Sequence, residues 1–146
     1  MFLLYNNYCD VIIIIMAKID SKIFRANDVR GIYPSEINES VVFEIAANIK
    51  HLFKKSIVVG HDARLSSPAL YKSVLKALGG KKVYEAGLIT SPEMYFLVNE
   101  LKADGGIMIT ASHNPKEYNG LKIMGKKAVP MSGKEILRIL NIEYRT

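Results

Sequence analysis

From residue 38 onward, stretches of apolar residues at helical spacing alternate with short continuous apolar runs. Val41, Val42, Ile45, Ala46, Ile49, Leu52 and Phe53 recur every three or four positions. A helix running to about Lys55 would place them on one face, with Asn38 or Ser40 as its cap. Ser56-Ile57-Val58-Val59-Gly60 follows, an apolar run closed by glycine, which is the pattern of a short buried strand. Ser66-Ser67-Pro68 supplies a cap with proline in the first turn, and a second helix carries Tyr71, Val74, Leu75 and Leu78 to a stop at Gly79-Gly80. The cycle repeats with a strand over residues 82–88, a helix opened by Ser91-Pro92-Glu93, and a third strand over residues 106–110. Residues 29–33 and 121–124 add further strands. A last helix starts at Ser132, and its stripe of Ile136, Leu137, Leu140 and Ile142 is expected to dock on a following domain.

Strands alternating with helices through short connections predict an α/β fold with helices on both faces of a largely parallel sheet. Chemistry is then expected in the loops that leave strand carboxyl ends, here after Gly60, Leu88 and Thr110. Composition fits a chain that folds: 146 residues allow one core, and 49% hydrophobic with 23% charged residues excludes a disordered chain or a collagen-like repeat. One Cys makes no internal disulfide, and with three His it leaves too few ligands for a structural zinc, so a reducing, cytoplasmic location is expected. The net charge of +6 (20 basic minus 14 acidic) is spread along the chain rather than blocked. With no Trp and no aromatics interleaved among the basic residues, nucleic acid is not an expected partner.

The chain opens MFLLYNNYCDVIIIIM, whose apolar run is far shorter than the roughly 20 residues that span a bilayer. It also lacks the basic start of a signal peptide, so no membrane partner is expected. Met16-Ala17-Lys18 reads as an ordinary start, which makes residues 1–15 an upstream extension and residues 16–146 the domain. If translated, residues 11–15 are β-prone, uncharged and free of proline, an aggregation hazard unless paired.

The loop Thr110-Ala111-Ser112-His113-Asn114-Pro115 puts hydroxyls directly after a buried strand, with Ser112 as the candidate nucleophile. No Gly-x-Ser-x-Gly elbow, Walker A loop or Gly-x-Gly-x-x-Gly turn is present, and His113, adjacent in sequence, is badly placed to take the Ser112 proton. On residue types alone, Thr110, Ser112 and Asn114 serve equally well as turn formers.

Thr-Ala-Ser-His-Asn-Pro at 110–115 resembles the phosphoserine loop of the α-D-phosphohexomutases, the family of phosphoglucomutase and phosphomannomutase. Phe24-Arg25-Ala26-Asn27-Asp28-Val29-Arg30-Gly31 is similar to that family's Phe-Arg-x-Tyr-Asp-Ile-Arg-Gly. Gly60-His61-Asp62-Ala63-Arg64-Leu65-Ser66 is similar to its Gly-x-Asp-x-Arg-x-Ser, and Tyr118-Asn119-Gly120-Leu121-Lys122 to its Tyr-Asn-Gly-x-Lys. The resemblance implies the family's first domain, a layered α/β/α fold with a mixed, mostly parallel sheet. It implies that Ser112 carries a phosphate, binds Mg²⁺ through it and gives the phosphoryl group to a hexose phosphate, with a glucose 1,6-bisphosphate-type activator. Lys122 matches the general acid/base, Arg30 faces the phosphate, and His113 steadies it. Arg25, Asn114 and Asn119 fall on the substrate and phosphate side, while Arg25 and Arg64 are expected to pair with Asp28 and Asp62. Asn27 stands where the family has tyrosine, which departs from the pattern along the sugar path.

The resemblance covers only domain I. No Asp-x-Asp occurs in the chain, so the metal loop of the family's second domain is missing, as are the loops of its third and fourth. The expectation is a phosphoserine domain that is inactive without domains II–IV, and a second chain carrying them is a candidate partner. The alternatives are a truncated product without catalysis and a phosphate-binding interaction module.

Overall fold

The computed structural model describes residues 19–140. The expectations for residues 1–15 and for Ile142 lie outside them. Within them, five strands form one sheet in the order β1-β5-β4-β2-β3: β1 Val29–Ile32, β2 Ser56–His61, β3 Lys82–Leu88, β4 Gly106–Ile109 and β5 Tyr118–Met124. The helices are α1 Glu39–Ile49, α2 Ser67–Ala77, α3 Ser91–Glu100 and α4 Gly133–Ile139. β2 pairs parallel with β3 and β4, whereas β5 runs antiparallel to both β4 and β1. The sheet is therefore mixed. Its reversal at β5 follows from the connection, because residues 110–117 are too few for the crossover that parallel neighbours require.

Alternation along the strands divides the core into two layers. Ile57, Val59, Ile107, Ile109, Leu121 and Ile123 face α1, α2 and α4, meeting Val42, Ile45, Leu70, Val74 and Ile136 in a fully buried cluster. Val58, Met108 and Met124 face the other way, against Met94 and Val98 of α3. Since α3 packs on β2 and β4, it leaves the β1 and β5 part of its face open. No helix among the described residues is long and apolar enough to cross a membrane.

Local signals explain the boundaries. Asn38, not Ser40, caps α1 by accepting from the Val41 N–H at 3.1 Å. The helix is shorter than its stripe, passing into a 3-10 turn over Lys50–Leu52. Thr90 and Glu93 make a reciprocal capping box on α3, and Ser132 and Glu135 make another on α4. The end of the chain corrects one expectation. Ile136, Leu137 and Leu140 are at most 1% exposed, because α4 returns over the α1 face and closes this domain's own core instead of presenting a stripe for docking. The return is tight: a side chain at Gly133 would collide with the Arg25 carbonyl, whose oxygen accepts the Gly133 N–H at 2.8 Å. Leu137→Ala should therefore cost about 2–5 kcal/mol in denaturant unfolding without changing the association state in light scattering.

Asp104 pins the start of β2 to the start of β4. Its carboxylate accepts from the Lys55 N–H, its own N–H donates to the Ser56 carbonyl at 2.9 Å, and Lys126 Nζ lies at 3.5 Å. The Lys55 N–H holds the carboxyl below its ordinary range, against the opposing effect of burial and with help from the Lys126 charge. A carboxylate depressed in the folded state stabilises at pH values above its unfolded pKa of about 3.9, and that contribution disappears as pH falls through the lower folded value. Asp104→Asn should flatten the fall in stability below about pH 4, as read from urea midpoints across pH.

Candidate functional site

The loop of residues 110–117 leaves the carboxyl end of β4, where ligands gather in open α/β sheets. Its shape is fixed from within and from outside. Ser112 has φ 55°, the left-handed region that a non-glycine residue occupies only when its surroundings impose it. The Ser112 N–H donates to Thr110 Oγ1 at 2.9 Å, and Asn114 donates twice to the Ala111 carbonyl, through its N–H at 3.1 Å and Nδ2 at 2.8 Å. Thr110 is tied to β5 by its N–H on the Gly120 carbonyl at 3.0 Å.

The outside constraint is Arg64, from the loop after β2. Its guanidinium donates through Nη2 to the carbonyls of Ser112 at 2.9 Å and Asn114 at 2.8 Å. Through Nη1 it donates to those of Pro115 at 2.7 Å and Tyr118 at 3.0 Å. Nε donates to Asp62 Oδ2 at 3.2 Å. A guanidinium has five N–H donors, so all are spent on the protein and Arg64 has none for a phosphate. The expected Arg64–Asp62 pair is present. The expected Arg25–Asp28 pair is not: Arg25 is exposed and contributes backbone bonds only, whereas Asp28 Oδ1 lies 3.0 Å from Arg30 Nε. The extended backbone at the start of β1 sends residues 28 and 30 to the same face, which decides between the two arginines.

Two of the predicted site residues, Arg30 and Lys122, lie on the adjacent strands β1 and β5. Arg30 of β1 pairs with Gly120 of β5, at the level where β5 bonds Thr110. Gly120 is required there, since any side chain would meet the Val29 carbonyl and the Arg30 backbone. Lys122 sits two residues further along β5, opposite Met108, and so on the same face as Arg30, which is the half that α3 leaves open. Both are half-buried, as are Ser112 and Asn114, and His113 is exposed at the loop tip. Ser112 Oγ makes no hydrogen bond among the described residues. Beside the loop, an open cavity of about 290 Å³ is lined by Asp62, Thr90, Met108 and Thr110 among others. A larger hollow of about 760 Å³ lies by Glu39 and Glu44 of α1 and shares no residue with the loop.

Asn119 departs from its expected place on the substrate side. It is fully buried, on the α1 and α2 face of β5, and donates from Nδ2 to Ser66 Oγ at 2.7 Å and Ser67 Oγ at 3.0 Å. Those serines read in the sequence as a helix start and as the end of the Gly-x-Asp-x-Arg-x-Ser motif. Ser66 does occupy the cap position of α2, but it makes no side-chain cap bond, because its hydroxyl meets Asn119. The sequence signal for this network was present only as two polar residues beside an arginine motif, and burial gave it meaning. No group of three or more His, Cys, Asp and Glu that could hold a metal occurs among the described residues. Mg²⁺ demands near-octahedral oxygen ligands, and a phosphate on Ser112 would offer one, so the described residues do not by themselves fit the metal.

The fold and loop define an α/β/α domain that presents a serine at a strand carboxyl end, clamped by arginine and flanked by a second arginine and a lysine. The family profile "Phosphoglucomutase/phosphomannomutase, alpha/beta/alpha domain I" matches residues 21–144, and the chain belongs to that family. It is 43% identical over 112 residues to a protein of Xanthomonas campestris pv. campestris (strain B100) named "Phosphohexose mutases", covering 75% of this chain and 25% of that one. It is 42% identical over 118 residues to a phosphomannomutase of Salmonella montevideo, covering 79% and 26% respectively. A crystal structure of a phosphoglucomutase/phosphomannomutase family protein from Burkholderia thailandensis superposes with a TM-score of 0.73 at 28% identity, over 84% of this chain and 30% of the other. The chain thus spans about a quarter of the length of the two relatives named here.

The clamp yields a direct test. Arg64→Lys keeps the charge but loses the planar fork, so most of the carbonyl bonds go unmade. Hydrogen bonds to charged groups contribute about 1.5–3 kcal/mol each, not additively, so the variant should unfold at least about 2 kcal/mol sooner. Proteolysis should nick residues 112–118 first.

Proposed function

We propose that this chain is the phosphoserine-bearing domain of a phosphohexomutase acting on a hexose phosphate, with Ser112 Oγ as the atom that takes and returns the phosphoryl group. The observation that carries this reading is the Ser112 geometry: a left-handed backbone pinned by Thr110 and Arg64, with a half-buried hydroxyl that makes no bond of its own among the described residues. Phosphoryl transfer asks for positioning and charge neutralisation more than for a strong base, and this loop supplies positioning. Arg30 supplies charge, and its guanidinium fork suits a phosphate. In the first half-reaction a sugar hydroxyl attacks the Ser112 phosphate; the bond from phosphorus to Oγ breaks, the bond to the sugar oxygen forms, and Lys122 takes the hydroxyl proton. Ser112 Oγ leaves as the alkoxide and takes a proton from solvent water, to which it returns that proton when it attacks in the second half-reaction. The second half-reaction runs in reverse with the sugar's other phosphate, so the net reaction is an isomerisation and the serine ends phosphorylated.

The family resemblance and the relatives named mutases support the substrate class. Their greater length supports a requirement for further domains, which would also complete the Mg²⁺ site. His113 and Asn114 are assigned to holding the phosphate or the loop. The chain is incubated with glucose 1,6-bisphosphate and a phosphomannomutase fragment supplying the remaining domains. Intact mass and peptide mapping should then find one phosphate, on Ser112. Phosphate elsewhere with Ser112 free would overturn the assignment. Lys122→Met should slow the transfer by about 10²- to 10⁴-fold in rapid-quench measurements, with the thermal midpoint nearly unchanged.

A further inference from the structure

We infer that Asn119 and Ser67 are positioning residues for Ser112, acting at a distance through a polar chain that starts buried at Asn119 and Ser67, passes through the half-buried Asp62 and Arg64, and ends on the loop. The inference rests on the reading of Ser112 as phosphoryl acceptor, and it assigns to Asn119 a role other than touching sugar or phosphate. With no solvent exposure, its side chain is out of reach of a ligand.

Each link has only one possible proton direction. Asn119 Oδ1 accepts the Gly120 N–H at 2.8 Å, which fixes the amide with its NH₂ toward α2. That NH₂ can only donate, and it has two hydrogens for two serine oxygens, Ser66 at 2.7 Å and Ser67 at 3.0 Å. Ser67, itself fully buried, must therefore receive from Asn119 and send its single hydrogen onward, to Asp62 Oδ1 at 2.6 Å. Asp62 is left as a pure acceptor. It takes that hydroxyl, the Arg64 N–H at 3.1 Å on the same oxygen, and Arg64 Nε at 3.2 Å on the other. With Nε anchored, the plane of the guanidinium is set, and both terminal nitrogens face the loop carbonyls.

The chain thus links β5, the start of α2 and the loop after β2 to one guanidinium, and every member is satisfied. A satisfied polar network rigidifies its members, and cutting one link loosens the groups on either side of it. Removing the Ser67 hydroxyl does not touch Ser112, Thr110 or any loop carbonyl. It removes one of the two donors to Asp62 Oδ1 and leaves only the Arg64 N–H on that oxygen, so the carboxylate that orients Arg64 loses its anchor in α2.

The test uses the isotopically labelled chain and follows hydrogen exchange of Arg64 Nε–H and the amide signal of Ser112 by nuclear magnetic resonance. In Ser67→Ala, Arg64 Nε–H should exchange about tenfold faster, the worth of one charge-assisted bond, and the Ser112 amide should move. Asn119→Ala, which removes the donor to Ser67, should shift both signals in the same direction, and Asn119→Ala signals that match the wild type would remove Asn119 from the chain. The Ile107 amide in β4 should keep its protection, which a merely structural role for Ser67 would not predict. Ser67→Thr, which keeps the hydroxyl, should restore both signals. Asp62→Asn cuts the same chain at its other end and should reproduce the Ser67→Ala pattern, serving as the second variant if Ser67→Ala does not fold. Unchanged Arg64 and Ser112 signals, or equal loosening at Ile107, would overturn the inference. These signals do not depend on phosphorylation. If wild-type Ser112 takes no phosphate while the signals respond as expected, the catalytic reading fails and the relay stands.

Discussion

Five N–H donors on one side chain hold this site together. Arg64 uses a carboxylate and four main-chain carbonyls to join the loop after β2 to the loop between β4 and β5, two segments far apart in sequence. Loop carbonyls at a sheet end have no strand partner, and a buried carbonyl without a donor is costly. The guanidinium supplies donors to the carbonyls of Ser112, Asn114 and Tyr118, and adds a second to that of Pro115, which already accepts the Tyr118 N–H. It also decides what Arg64 cannot do: a fully engaged donor set leaves it no N–H for an anion.

The sheet face that carries Arg30 is open because the two layers are unequal. Three helices cover one side of the sheet, and one helix covers part of the other, over β2 and β4. Arg30 and Lys122 sit where coverage ends, on strands brought close by the missing side chain of Gly120. Burial thus does two jobs in this domain. It makes the core on the α1 side, and by stopping short on the other side it leaves two cations half-exposed beside a serine loop.

Most elements were legible because apolar spacing is a local property. The strands appeared as short apolar runs, and the helices as stripes with caps at Asn38 and Ser132, while the helix read as opening at Ser91-Pro92-Glu93 is capped one residue earlier, by Thr90. Strand direction was less legible, since the reversal of β5 depends on counting residues 110–117 against the length of a crossover and not on the composition of β5. The motifs marked the neighbourhood of the site without stating who touches whom. Arg25 and Arg30 both lie near Asp28, and only backbone alternation assigns the pair to Arg30. Asn119 sits in a functional motif, yet it faces the helices. The stripe at Ile136, Leu137 and Leu140 has the same spacing whether it covers its own core or a neighbour's, and only the tertiary path of the chain distinguishes the two.

Arg64 reads the loop through its carbonyls, and every residue type except by its backbone looks alike to it. The loop can therefore drift in side chains at exposed positions with no assigned role, such as Lys116 and Glu117, with the clamp unaware of the change. Its length has no such freedom. One residue gained or lost between Ala111 and Tyr118 would shift the carbonyls off the guanidinium, and if the shift passed into β5 it would exchange the faces of Asn119 and Lys122. Over evolutionary time such a segment should behave as a ruler with changeable markings: tolerant of substitution, intolerant of insertion and deletion.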